Sequence, residues 1–292
     1  MLVCVGKGKM KKLVLVFSAF IVALMVLTIN MNIFLTTAAA SGPRRTEPHT
    51  PDLRPSQPHI RASKTKTVTG EVLSLNWAGY AVSSSSGSVT DVKGSWIVPS
   101  LSCSRTTAYA AFWVGIDGYS DNTVEQTGVL AECYQGTAYY YTWYEFYPAA
   151  PVYVTSTVPV SAGNVVYGEV SYSSSLFTVT LTDETTSKTF TKALSDSSAL
   201  RSSAEWIAEA PSSGAQILPL ATFGTVSYGL DYTKLASPLT NYATVKSVTG
   251  TIGSFKSAVE ELEMVTSSLV VKAAPSALTA DGESFQVTWK HS

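Results

Sequence analysis

Between residues 176 and 194 the chain reads LFTVTLTDETTSKTFTKAL. Phe177, Val179 and Leu181 alternate with Thr178, Thr180 and Thr182, the pattern turns polar over 183–187, and alternation then resumes. Successive side chains of a strand point to opposite faces, so this spacing predicts a β-hairpin. The same period of two runs through VYVTSTVPV (152–160), NVVYGEVSYSS (164–174) and SFQVTWKH (284–291), with Gly, Ser, Asn and Pro between the runs. Helical spacing falls on FKSAVEELEMV (255–265), whose second half reads equally well as a strand. No repeat of a solenoid or propeller period is present, and no glycine-rich phosphate loop follows a strand. These elements predict an all-β fold, an antiparallel β-sandwich forming one domain over 71–292.

Two apolar stretches carry carboxylates. In AYYYTWYEFYP, Tyr139, Tyr141, Trp143, Glu145 and Tyr147 share one strand face, and Tyr140, Thr142, Tyr144 and Phe146 share the other. A face of three Tyr, one Trp and one Glu suits a wet, concave cleft better than a dry core. In AEWIAEAP, Glu205 and Glu209 lie four apart and so face the same way, and strand period alone does not choose between them.

Charge divides the chain. Residues 1–40 combine a lysine-rich start, a long apolar run from Leu13 to Leu35 and small residues around Ala38 and Ala40, the layout of a secretory signal peptide. An uncleaved membrane anchor is the alternative. Residues 41–70 are proline-rich and carry six Lys or Arg against two acids, a composition that predicts a disordered linker or a propeptide. From Glu71 onward ten Lys or Arg face nineteen Asp or Glu, which argues against nucleic acid as a partner. Once Cys4 leaves with the signal, Cys103 and Cys133 are the only cysteines, and export predicts that they form a disulfide.

The residue inventory then excludes chemistries. His49 and His59 precede the body and His291 is penultimate, so the body has no internal histidine for a Ser-His or Cys-His site or a zinc centre. No Asp-Thr-Gly or Asp-Ser-Gly occurs, and no EF-hand spacing is present. Carboxylates, tyrosines and neutral amides remain. Gln126 in VEQTG shares a strand face with Val124 and Gly128, and a glutamine NH2 can donate to a developing oxyanion even in acid.

NWAGY, FWVGIDGY, VEQTG, YTWYEFYP and AEWIAEAP, in that order, resemble the eqolisin family of glutamic peptidases over the body from about Leu75 to ADGESFQVTW. The resemblance implies a sandwich of two large antiparallel sheets (concanavalin- or jelly-roll-like), an acid-active endopeptidase that activates water without a covalent intermediate, and no cofactor or metal. By motif, the family's catalytic pair falls on Gln126 and Glu209, with Glu205 a neighbour. Its substrate-binding residues fall on Asn76, Trp77, Trp113 and Asp117, and Trp143, Glu145 and Tyr147 complete the cleft. One departure stands out: Val129 and Leu130 follow QTG where fungal members carry an acid, and the first acid here is Glu132. This points to a prokaryotic-type branch with altered subsites. The expectation is a secreted, monomeric enzyme acting on polypeptides, free of the membrane after signal cleavage. The rival reading is a carbohydrate-binding sandwich or a glycoside hydrolase with paired carboxylates, since aromatic-lined sheets also grip sugars.

Overall fold

A computed structural model describes residues 45–292 apart from residue 69. The signal segment expected over 1–40, with its Ala38-x-Ala40 cleavage site, and Cys4 lie outside the described residues. The described chain forms a compact unit of short strands: β1 (Leu53–Arg54), β2 (Arg61–Lys66), β3 (Val72–Ser74), β4 (Trp77–Ser83), β5 (Val89–Ile97), β6 (Ala108–Ile116) and β7 (Val124–Tyr134). There follow β8 (Thr137–Tyr147), β9 (Val152–Tyr153), β10 (Val165–Ser173), β11 (Leu176–Asp183), β12 (Lys188–Leu194), β13 (Ser203–Glu209) and β14 (Ser212–Ser213). The last are β15 (Gln216–Ile217), β16 (Thr225–Tyr228), β17 (Tyr242–Val245), β18 (Val248–Thr251), β19 (Val259–Val265), β20 (Val271–Pro275) and β21 (Phe285–Trp289).

Two layers result. The first runs β9–β8–β7–β6–β13–β4–β19. The second runs β12–β11–β10–β5 and continues from the far edge of β5 into β17 and β16. The β16–β21–β20–β19 pairings join the layers at one corner. Every named pairing is antiparallel except β19 with β3. Between the layers lie Val92, Trp96, Phe112, Val114, Val170, Phe177, Trp206, Tyr228 and Phe285, all buried. Burying one such side chain stabilises a fold by about 1.5–3 kcal/mol, and this seam is the main apolar source of stability.

The alternating hairpin 176–194 forms as β11 and β12, closing at Asp183 opposite Lys188. In FKSAVEELEMV the helical reading fails: a distorted 3-10 segment covers Ile252–Ala258, and Val259–Val265 is strand. Valines and the free edge of β4 outweigh the helical spacing there. VYVTSTVPV is strand only over Val152–Tyr153, because the Val158 N–H turns back to the Val154 carbonyl.

The proline-rich segment is the larger correction. Far from lacking structure, residues 45–66 lie against the body, with β1 paired to β14 and β2 to β3, and with Leu53, Ser56 and Ala62 buried. Such a segment has no core of its own, but its backbone groups find partners on exposed strand edges and its rings find aromatic faces. Cys103 and Cys133 form the expected disulfide, 30 residues apart. Closing a loop of that length stabilises by about 3–4 kcal/mol in the chain-entropy model. Cys103→Ser/Cys133→Ser is therefore expected to lower the unfolding free energy by that amount, read as a fall of about 1–3 M in the urea midpoint, and an unchanged midpoint would show that the bridge is dispensable.

Candidate active site

On β4, β13, β6, β7 and β8 one face packs into the sandwich and the other forms a broad floor. Residues in register across these strands make rows on the floor. One row is Trp77, Glu209, Ala111, Leu130 and Tyr141. The next holds Ile207, Trp113, Gly128 and Trp143, and the one after it Ala81, Glu205, Gly115, Gln126 and Glu145. Gln126 and Glu209 thus share the floor two strands apart, and no hydrogen bond joins them.

Trp113 lies between them. Its Nε1 donates to Glu209 Oε2 at 3.0 Å. Its six-membered ring covers Gly115, where an added Cβ would meet Trp113 Cζ3 and Gln126 Cβ, each at 3.0 Å. Gly128 is needed for a similar reason, since a Cβ there would lie 2.6 Å from Trp113 Cβ. Gly115 leaves the indole room beside Gln126, and Gly128 lets β7 run close to the Phe112 carbonyl and the Trp113 backbone of β6.

Glu209 is fully buried and surrounded by donors: Asn76 Nδ2 reaches Oε1 at 3.1 Å, and the Gln57 backbone N–H reaches the same oxygen at 3.1 Å. Burial raises its pKa well above the usual carboxylate value, and Ser56, Asn76, Gln57 and Trp113 pull it back down. Glu205 is different. Neither of its oxygens has a hydrogen-bond partner, Ser203 eases the burial from just outside bonding geometry, and nearby Asp117, Asp121 and Glu125 add to a strongly raised pKa. Of the two glutamates, Glu209 alone bonds to a polypeptide segment crossing the floor.

That segment belongs to the basic, proline-rich stretch before the body, residues 45–66, the leader. Arg54 Nη1 bonds Glu145 Oε1 at 3.0 Å and the Pro148 carbonyl at 3.0 Å and also reaches the Ala149 carbonyl, and the guanidinium carbon lies 5.7 Å from the Tyr147 ring centre. Ser56 lies between two acids, its hydroxyl towards Glu209 and its N–H towards Glu145. Trp77 Nε1 donates to the Gln57 carbonyl at 3.0 Å, and Asn76 Nδ2 to the Pro58 carbonyl at 3.2 Å. His59 stacks between Trp77 and Tyr119. Its Nδ1 faces the Tyr119 carbonyl at 3.3 Å and its Nε2 is buried without a partner. Burial, with Arg61 nearby, lowers its pKa to about 4.

Gln126 Nε2 points to Glu145 Oε2 at 3.4 Å, and its Oε1 is unpartnered. Burial raises the Glu145 pKa to about 8 against the pull of Arg54 and the Ser56 N–H. Trp143 is buried in the floor. Asp117, expected in the cleft, has its carboxylate turned to the Arg201 and Ser202 backbone N–H groups at 2.6 Å each, tying the end of β6 to the start of β13. The charge contrast between the basic leader and the acidic body already pointed to the cleft, and what sequence reasoning missed is that the leader is ordered there, paired to strand edges and bonded to Glu209. The signal was available: a basic segment of fixed-φ prolines beside an acidic body. Among the described residues no group of three or more His, Cys, Asp or Glu could hold a metal, and no helix is long and apolar enough to cross a membrane.

A family model described as the peptidase A4 family matches residues 75–236. The chain is 33% identical over 216 residues to aspergillopepsin-2 of Aspergillus niger, covering 65% of this chain and 74% of that protein. Its fold matches scytalido-glutamic peptidase, solved with a transition state analog inhibitor, at TM-score 0.61 and 22% identity over 74% of this chain and 98% of that one. Aspergilloglutamic peptidase from Aspergillus niger matches at TM-score 0.51 and 28% identity, over 63% of this chain and 99% of that one.

Proposed function

The chain belongs to the peptidase A4, or eqolisin, family, and on that premise we propose that it is a secreted acid endopeptidase, made as a latent precursor, in which Gln126 and Glu209 act on water. The observation that carries this reading is the Gln57 N–H on Glu209 Oε1. A peptide nitrogen already stands where a leaving amine would receive a proton. In the reaction, ionised Glu209 takes a proton from water as the water attacks the scissile carbonyl carbon, Gln126 donates to the oxyanion, and Glu209 passes the proton to the departing nitrogen. Asn76 and Trp77 hold the carbonyls of residues 57 and 58 and would hold substrate backbone in the same way.

Three features keep the leader uncut. The amide of Gln126 is turned to Glu145. Pro55 and Pro58 stiffen the chain around the Ser56–Gln57 bond. Burial under the leader also favours neutral Glu209, so the base is disarmed as well as covered. The rival sugar-directed reading has no comparable support, because the occupant of the cleft is polypeptide and the relatives are peptidases.

Acid would release the leader. Attraction between the basic leader and the acidic surface of the body weakens as exposed carboxylates take up protons. Glu145 and Glu209, which burial under the leader keeps neutral, take up theirs in favour of the bound state, so the release has to be driven by His59. His59 adds a sharper term. Its pKa is lowered in the bound leader, so the penalty for binding is absent above the free value near 6.5 and grows by about 1.4 kcal/mol per pH unit down to about 4. The expected result is that the purified precursor is latent near neutrality and, at about pH 4, shortens to a chain beginning near Glu71 or Leu75, read by intact mass. Carrying Glu209→Gln it should stay full length, and shortening of that purified variant would sink self-processing. His59→Phe should move the activation midpoint to lower pH, and an unmoved midpoint would remove His59 from the switch.

A further inference from the structure

Where β7 and β8 meet at their hairpin end, beyond the row that holds Glu209, the floor carries a second anchorage. His49 Nδ1 lies 2.9 Å from Glu132 Oε2, and the His49 backbone N–H donates to Glu132 Oε1 at 3.1 Å. The imidazole stacks on Tyr134, with ring centres 3.8 Å apart and planes 10° apart, and meets Tyr139 edge-on at 4.9 Å. Tyr141 OH donates to the same Glu132 oxygen at 2.9 Å, and the Thr50 hydroxyl bonds Tyr109 OH. Glu132 is fully buried while His49 is in place. Without the leader its carboxylate would keep Tyr141 as a donor and lose two N–H partners, in a cup open to solvent.

We infer that Glu132, Tyr134, Tyr139 and Tyr141 form a distal binding site for an imidazole-bearing side chain. The leader fills it with His49, and polypeptide substrates fill it after the leader departs. The chemistry matches at each contact. A carboxylate faces a ring N–H, one tyrosine ring lies parallel to the imidazole, and another closes its edge. The use by substrates rests on the peptidase reading given above. The site itself does not, because its contacts are independent of Gln126 and Glu209.

Two measurements separate these layers. In the full chain, His49→Ala empties the cup, and imidazole added as the probe is expected to bind it on a millimolar scale, as seen by calorimetry. Binding should be absent in the unaltered chain, where His49 is in place, and in His49→Ala/Glu132→Gln. His49→Ala chain that fails to bind imidazole overturns the site. For substrates, acid-activated protein would receive two peptides carrying residues 47–54 ahead of one cleavable sequence, one with His49 and one with alanine there. The histidine peptide should show about tenfold higher kcat/KM through KM, the size of one charge-assisted hydrogen bond. Glu132→Gln and Tyr134→Ala should erase that ratio. Equal kcat/KM in the unaltered protein, or a ratio that survives Glu132→Gln, overturns the substrate role. Cleavage of neither peptide counts against the peptidase reading, while the imidazole titration still decides the site.

Discussion

Glu209→Gln is expected to abolish hydrolysis of an unfolded protein in acid, a loss of at least about a thousandfold, with the far-ultraviolet dichroism of the folded chain unchanged. The amide keeps the shape of the side chain and its one oxygen can still accept from Asn76 or from Trp113, though not from both, and it cannot take a proton from water. Gln126→Ala removes the oxyanion donor while leaving the base, and a loss of about 10²–10³ is expected. Glu205→Gln should keep measurable activity, because its carboxyl lies among Asp117, Asp121 and Glu125 away from the leader's path. Those three rates test the assignment together. An inactive Glu205→Gln beside an active Glu209→Gln would invert it, and full activity of Gln126→Ala would leave the oxyanion without its proposed donor.

The folded protein is expected to lose stability as pH rises from 6.5 towards 9. Glu125 and Glu205 are fully buried, with Asp117, Asp121 and Asp196 as their charged neighbours, and burial raises Glu125 to about 10 and Asp117 to about 6. A carboxyl with a raised pKa in the folded state holds a proton that the unfolded chain gives up. Its contribution is present below the unfolded value near 4.5 and is lost as pH climbs towards the folded one. His59 works in the opposite direction, but its window lies below 6.5 and does not overlap. Thermal midpoints followed by tryptophan fluorescence should fall steadily over this range, and Glu125→Gln/Glu205→Gln should make the fall shallower, leaving the part that buried Glu145 and Glu209 contribute. A midpoint that is level or rising between pH 6.5 and 9 would mean that these carboxyls are solvated in solution.

What could be read from the sequence was what period two encodes. Alternation placed Tyr140, Tyr144 and Phe146 against the sandwich core and Tyr141 and Trp143 on the opposite floor, as the structure has them. Alternation could not separate Glu205 from Glu209, because residues four apart on a strand face the same way. The difference lies in what crosses the floor above each, a non-local property. The leader was misread for a related cause. Disorder was inferred from its lack of apolar residues, yet its order comes from Arg54, Ser56, Gln57 and His59 meeting groups supplied by distant strands. Asp117 shows a further limit: the motif gave its position, and the direction of its carboxylate depended on Arg201 and Ser202, more than eighty residues away.

The two faces of β13, β6, β7 and β8 have an evolutionary consequence. Each strand contributes alternate residues to the packed seam and to the cleft, so selection on substrate preference and selection on folding act on different positions of the same segments. Lineages can drift at Glu132, Tyr139 or Tyr147 without disturbing Phe112, Val129 or Trp206 beneath. Gly115 and Gly128 are where that independence ends, since a side chain at Gly128 would collide with the Phe112 carbonyl and Trp113, and one at Gly115 would press on Trp113 and Gln126. Diversification of such a peptidase should therefore spread outward from this pair of glycines, with new specificities arising at the rims of the floor and almost none at its centre.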